Sequence, residues 1–239
     1  MGVSYNPKII TDGLVFCVDA ANGRSYPKTG TTLSDLVASY NGTFVNMDAS
    51  NFDEANGGSL VFDGTNEYIT TSGMENFSYP NGITISIWHF NEGTINYRGV
   101  INNGTSSPYD RLGGFDLRYG RENYFGGTNN GTFLFLRITN ANSQGSYLPV
   151  YSNLNEWHNY TFTYDNTTII AYKDGVFFDS VNHAWGGQLK TTTSSPLIGH
   201  SLGTGEYLDG KLSSILIYDR PLIESEILQN YNATKGRYK

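Results

Sequence analysis

The chain has 239 residues, 15% of them charged, with 15 lysines and arginines against 22 aspartates and glutamates for a net charge of −7. That balance excludes a general nucleic-acid binder, which needs a basic face for phosphates, and docking on an anionic membrane surface. Low charge density beside 14% aromatic residues also excludes a disordered chain or a coiled coil.

The length suits one all-β domain over residues 1–239, large enough to need no disulfide staples. The first residues show no basic segment leading into an apolar run, so no secretion signal is expected. No run of about 18 apolar residues suggests a membrane helix. The opening apolar run is Leu14-Val15-Phe16-Cys17-Val18, and its cysteine, alone in the chain, reads as a buried, inert thiol. Residues 20–58 hold few strong strand patterns and read as long loops.

Beyond them the period is two. Ser59–Phe62 and Glu67–Thr71 flank an Asp63-Gly64 turn, and Asn81-Gly82 precedes Ile83-Thr84-Ile85-Ser86-Ile87-Trp88-His89-Phe90. The segment 126–131 reads as a loop tip. Thr132–Ile138, Tyr160–Tyr164, Thr168–Tyr172, Val176–Ser180 and Leu212–Tyr218 complete the strand-like runs, each bounded by small polar residues as in sandwiches and barrels. Asp174-Gly175 between two such runs marks a hairpin. Pro221 and the spacing of Leu222, Ile223, Ile227, Leu228 and Tyr231 predict one short helix over 222–231. The basic residues 235–239 read as an extended tail.

Several segments resemble the laminin-G-like, concanavalin-A-like jelly-roll superfamily. They are Leu60-Val61-Phe62-Asp63-Gly64 with Glu67-Tyr68-Ile69, then Ile83–Trp88, then Trp157 through Asp165. Tyr172-Lys173-Asp174-Gly175, Ile198-Gly199 and Gly210–Ile215 follow in the same order. The resemblance implies an all-β, two-sheet antiparallel jelly-roll sandwich with one short C-terminal helix. It implies that Trp88 and Trp157 are strand positions in the core. The ends, Asp12–Ala20 and Ile217–Tyr238, resemble versions encoded by tailed bacteriophages as virion structural proteins. One departure is Ile223, where the family often has a Ser or Thr three residues before Glu226 as a capping box. The helix is then capped from Asp219, or starts later.

The superfamily includes lectins, glucanases and adhesion modules, so the site decides. A retaining glycosidase needs two carboxyls about 5–5.5 Å apart. Asp53 and Glu54 are adjacent and face apart on a strand, and Glu224 and Glu226 diverge on a helix. Glu206 and Asp209 are the remaining pair, and no enzyme is expected. His89, His158, His183 and His200 show no ligand spacing, which argues against zinc. Calcium could use loop carboxylates, with Asp48, Asp53, Asp110 and Asp116 as candidates, each set against a plain role in a turn. The run Gly205–Leu212 matches a phosphate loop only until Leu212 replaces the hydroxyl.

Carbohydrate stacks on exposed rings, and Trp185, Tyr97, Tyr109 and Tyr124 lie in or near turn-rich stretches. The competing reading packs each ring on the sandwich edge or in an interface. The expected function is a non-enzymatic virion component, as capsid decoration or in the tail or its fibres. It would be assembled with other virion proteins and could bind host glycans. A lectin-like adhesin with no assembly role is the alternative. No nucleic acid and no membrane insertion are expected.

Overall fold

A computed structural model describes residues 7–93, 97–103, 114–121, 132–201 and 205–238. Its strands are β1 (Leu14–Asp19), β2 (Thr32–Leu33), β3 (Gly42–Val45), β4 (Phe52–Asp53), β5 (Ser59–Asp63), β6 (Tyr68–Thr71), β7 (Ile83–Asn91) and β8 (Arg98–Asn102). They continue as β9 (Phe115–Arg121), β10 (Thr132–Thr139), β11 (Gly145–Tyr151), β12 (Trp157–Tyr164), β13 (Thr168–Lys173), β14 (Val176–Asn182), β15 (Leu197–Ile198) and β16 (Asp209–Tyr218). Helix α1 (Glu224–Thr234) follows.

The strands form two antiparallel sheets, as a jelly roll requires. The first runs β14-β13-β12-β7-β16-β5-β4, and β1 pairs with the second half of β16 beyond the reach of β5. The second runs β11-β10-β9-β8-β15-β6-β3-β2. Alternation puts Ile83, Ile85 and Ile87 of β7, and Tyr160, Phe162 and Tyr164 of β12, on the inner face of the first sheet. Phe115, Leu117 and Tyr119 of β9, with Leu134, Leu136 and Ile138 of β10, meet them from the second. These side chains are almost wholly removed from water, which is the main favourable contribution to folding.

Turn chemistry follows the sequence. Asp174 and Gly175 both take positive φ, 54° and 77°, as a type I′ hairpin requires. Gly82 sits at φ 98°, and a Cβ there would run into the Tyr164 carbonyl oxygen. Residues 20–58 are less loop-like than their letters imply. They contribute the short strands β2, β3 and β4, and Asp35 holds the loop beside them. Its carboxylate accepts backbone N–H bonds from Cys17, Val37, Ala38, Ser39 and Tyr40 at 2.8–3.3 Å.

A second, smaller cluster lies outside the first sheet. Cys17, Tyr172, Leu216, Tyr218, Leu222 and Ile227 pack beneath α1. Burial pushes the Cys17 thiol up to about 12, and Asp19 and Asp35 add to the effect, so it stays protonated and unreactive. The helix begins later than 222. Ile223 has no side-chain acceptor, so one half of the capping box is missing, while Glu226 accepts from the Ile223 N–H at 3.0 Å and pairs with Arg220 at 2.7 Å. The tail is not extended. Lys235–Arg237 form a 3₁₀ turn, and Tyr238 folds back to stack on Trp88 with ring centroids 3.9 Å apart. Trp88 therefore lies on the outer face of the sheet, covered by the tail, and not between the sheets. Trp88 is buried as expected, at 3% exposed, whereas Trp157 is only half-buried at the start of β12.

Candidate functional site

The chain leaves β14 at Asn182 and crosses one end of the sandwich. Its backbone there is tied down from several sides. His183 N–H donates to the Thr167 carbonyl at 2.7 Å, and Gly187 N–H to the Asn166 carbonyl at 2.7 Å. The Gly186 carbonyl accepts from Asn140 Nδ2 at 2.6 Å, and the Gly187 carbonyl from the Tyr164 hydroxyl at 2.7 Å. Gly186 and Gly187 take φ 58° and 98°, so the segment turns sharply after Trp185. The imidazole of His183 is buried beneath this turn, and desolvation lowers its pKa. The neutral ring leaves Nδ1 free to accept from the Trp185 N–H at 3.3 Å. The result is a fixed backbone whose indole is 60% exposed and meets the His183 ring edge-on, with centroids 6.2 Å apart.

A second polar and aromatic group occupies the outer face of the second sheet. Arg118 of β9 is 2% exposed. Its Nε lies 3.1 Å from Asp116 and its Nη1 3.6 Å from Glu206. The guanidinium sits over the Phe135 ring at 5.0 Å and over the Tyr97 ring at 5.6 Å, a cation–π arrangement on two faces. Next to it Arg98 reaches Asp209 at 3.4 Å and donates to the Tyr207 carbonyl at 3.1 Å. His200 and Tyr207 stack at 4.3 Å, with Tyr68 of β6 5.4 Å from His200. On the far strand Tyr147 and Tyr151 are exposed, and Tyr151 packs on Phe133 at 4.3 Å.

The sequence candidates do not converge. Trp185 and Tyr97 stand at opposite ends of the second sheet, because Tyr97 precedes the Arg98 end of β8 while the Trp185 turn is tied to Asn140, just past Thr139. Tyr109, Tyr124 and Asp110 lie outside the described residues. Asp48 caps a 3₁₀ turn by accepting from Ser50, Asp53 pairs with Lys211 at 2.8 Å, and Asp116 is a strand residue beside Arg118. Among the described residues no three His, Cys, Asp or Glu side chains gather as a metal would need. Glu206 and Asp209 answer to different arginines. The Gly205–Leu212 run leads into strand β16 and not into a helix, so the phosphate-loop pattern has no structural counterpart.

Arg118 escaped the sequence reading, although Phe115-Asp116-Leu117-Arg118-Tyr119 alternates with period two and could have marked a strand. The family model for the concanavalin A-like lectin/glucanase superfamily, of the laminin G type, matches residues 63–228. The chain belongs to this superfamily. No match was found among curated proteins.

Solved structures share the fold of this superfamily member. The binding domain of Paraclostridial Mosquitocidal Protein 1 aligns with TM-score 0.65 and 18% identity, over 92% of this chain and 52% of that one. Domain 4 of AbnA, a GH43 extracellular arabinanase from Geobacillus stearothermophilus, in complex with arabinotriose, gives 0.63 and 17%, over 91% and 98%. The binding domain of botulinum neurotoxin DC, in complex with rat synaptotagmin II, gives 0.65 and 12%, over 93% and 52%. The chain thus spans about half the length of the toxin domains and nearly all of the arabinanase domain. At these identities the likeness establishes a shared lectin-like jelly-roll fold; the two toxin relatives are binding domains, and domain 4 of the arabinanase is in complex with arabinotriose.

Proposed function

We propose that the chain is a non-catalytic binding module that takes carbohydrate on the exposed Trp185 ring. The observation that carries this reading is a pinned backbone presenting an uncovered indole. Water contact on so large an apolar ring is unfavourable, and a flat ring fixed in advance suits the C–H face of a sugar while losing little conformational freedom on binding. The arabinotriose bound to domain 4 of the arabinanase supports the ligand class. The arginines facing Glu206 and Asp209 support a non-catalytic role, since a glycosidase needs one such carboxyl free to carry a proton. On a glycan array the signal should fall about tenfold or more on Trp185→Ala, with the melting temperature unchanged. An unchanged signal removes the reading.

A setting on the surface of a bacteriophage particle, in the capsid or tail apparatus and assembled with other virion proteins, is the second part of the proposal. Its support is the resemblance of both chain ends to virion versions, together with the way those ends meet: Arg237 holds Asp19 at 2.9 Å, and Asn230 accepts from the Ile10 N–H at 2.8 Å. Mass spectrometry of purified particles should find the chain. Its absence from them overturns this setting without touching the sugar site.

A further inference from the structure

The outer face of the first sheet is covered only in part. Helix α1 packs over Leu216 and the tail over Trp88, and the cover stops at Tyr238. Beyond that ring the face opens into a depression of about 420 Å3. Its floor is aromatic: Trp157 lies 5.0 Å from Tyr238 and 5.6 Å from Phe90. Its rim is polar, with Asp53 and Lys211 on one side and Asn155 and Glu156 on the other.

Two properties distinguish this depression from ordinary uneven surface. First, the Trp157 indole is held rigidly. In the amide orientation that satisfies both of its ends, Asn56 accepts from Trp157 Nε1 at 3.0 Å and donates to the Arg237 carbonyl at 3.1 Å. Second, the charges on the rim already have partners. Lys211 pairs with Asp53 at 2.8 Å, and Glu156 meets His158 at 3.2 Å and Asn153 at 2.7 Å. A charged ligand would have to displace these pairs. A neutral, amphipathic ligand would not, because paired carboxylates and amides keep lone pairs and N–H groups to spare for hydroxyls. Trp88, one ring away in the same stack, is 3% exposed, whereas Trp157 is only half-buried, so partial exposure is a feature of this site and not of the stack.

We infer that the Trp157 depression is a second carbohydrate site, on the sheet face opposite the one that carries Arg118, with a sugar ring seated on the indole and hydroxyls directed at Asp53, Lys211 and Asn155. It goes beyond the Trp185 reading and does not depend on it. The chain's three tryptophans supply separate reporters, since each indole N–H gives its own nitrogen-15 NMR signal. Arabinotriose, lactose and N-acetylchitotriose are titrated to millimolar concentration into the full chain. At least one should shift the Trp157 signal and leave that of Trp88 in place. Ala55→Arg puts a long side chain at the exposed rim without removing any packing, and it should weaken that titration about tenfold while the Trp88 signal stays native. Movement of the Trp185 signal alone overturns this site and leaves the other standing. Movement of Trp157 alone does the reverse. No movement with any of the three sugars, or a Trp157 shift that Ala55→Arg leaves intact, overturns the inference.

Discussion

Burial sets the protonation state of His89. The ring lies on the inner face of β7, where the Tyr119 hydroxyl meets Nδ1 at 2.7 Å and Nε2 has no hydrogen-bond partner among the described residues. Desolvation lowers its pKa to about 3. The folded chain therefore keeps a neutral imidazole where the unfolded chain takes a proton below about pH 6.5. Stability is complete above that pH and is lost as pH falls from it towards 3, by about 1.4 kcal/mol per unit. Urea denaturation should show wild type losing about 2 kcal/mol more than His89→Phe between pH 7 and pH 5. Equal losses in the two proteins would refute this assignment. Single residues were legible where local chemistry decides, as with Cys17 and the Asp174-Gly175 turn. They were not legible where a distant partner decides. Nothing near Arg118 in the sequence announces Glu206, which arrives from the loop before the last strand, and nothing near Trp157 announces that the chain's final tyrosine stops beside it.

At the scale of elements, the long alternating strands were legible and the mixed ones were not. β7 and β12 alternate apolar with polar residues over Ile83–Ile87 and Tyr160–Tyr164, and β13 carries the continuous apolar run Ile169–Tyr172. β8 begins Arg98-Gly99 and β9 places Asp116 and Arg118 on its outer face, so their polar positions read as loop although the structure buries them. The C-terminal segment shows the same limit. Its apolar spacing predicts the helix, but the helix start depends on Glu226 serving Ile223 and Arg220 together, and the basic letters of the tail hide the role of Tyr238. That ring covers Trp88, and the Tyr238 hydroxyl donates to Ser213 at 2.7 Å. Tyr238→Ala should cost about 2 kcal/mol, seen as a lower melting temperature together with a red shift of tryptophan emission as Trp88 meets water. A lower melting temperature with unshifted emission would mean that another group covers the indole.

Across the whole molecule, period two implied two stacked layers, and the family resemblance supplied the jelly-roll architecture that periodicity alone cannot. The pairing of β1 with β16, about 200 residues apart, has no local signal. Neither has the position of β14 at the border of the first sheet, where Val176, Phe177 and Phe178 are all exposed. A border strand with free backbone groups and apolar side chains is a template for unwanted pairing, and natural proteins often guard such strands with lysine. Phe177→Lys should reduce light scattering at high protein concentration without lowering the melting temperature. Scattering that does not change would place self-association elsewhere.

The pairing of the first and last strands also sets how the protein responds to tension. Leu14 faces Tyr218, so the chain enters β1 and leaves β16 at the same end of their ladder. A pull on the two ends would open that ladder like a zipper, rung after rung, once the clasp between Asp19 and Arg237 has given way. Strands drawn lengthwise past one another break all their rungs together and resist far more. A domain of this build yields to tension one rung at a time along its first and last strands.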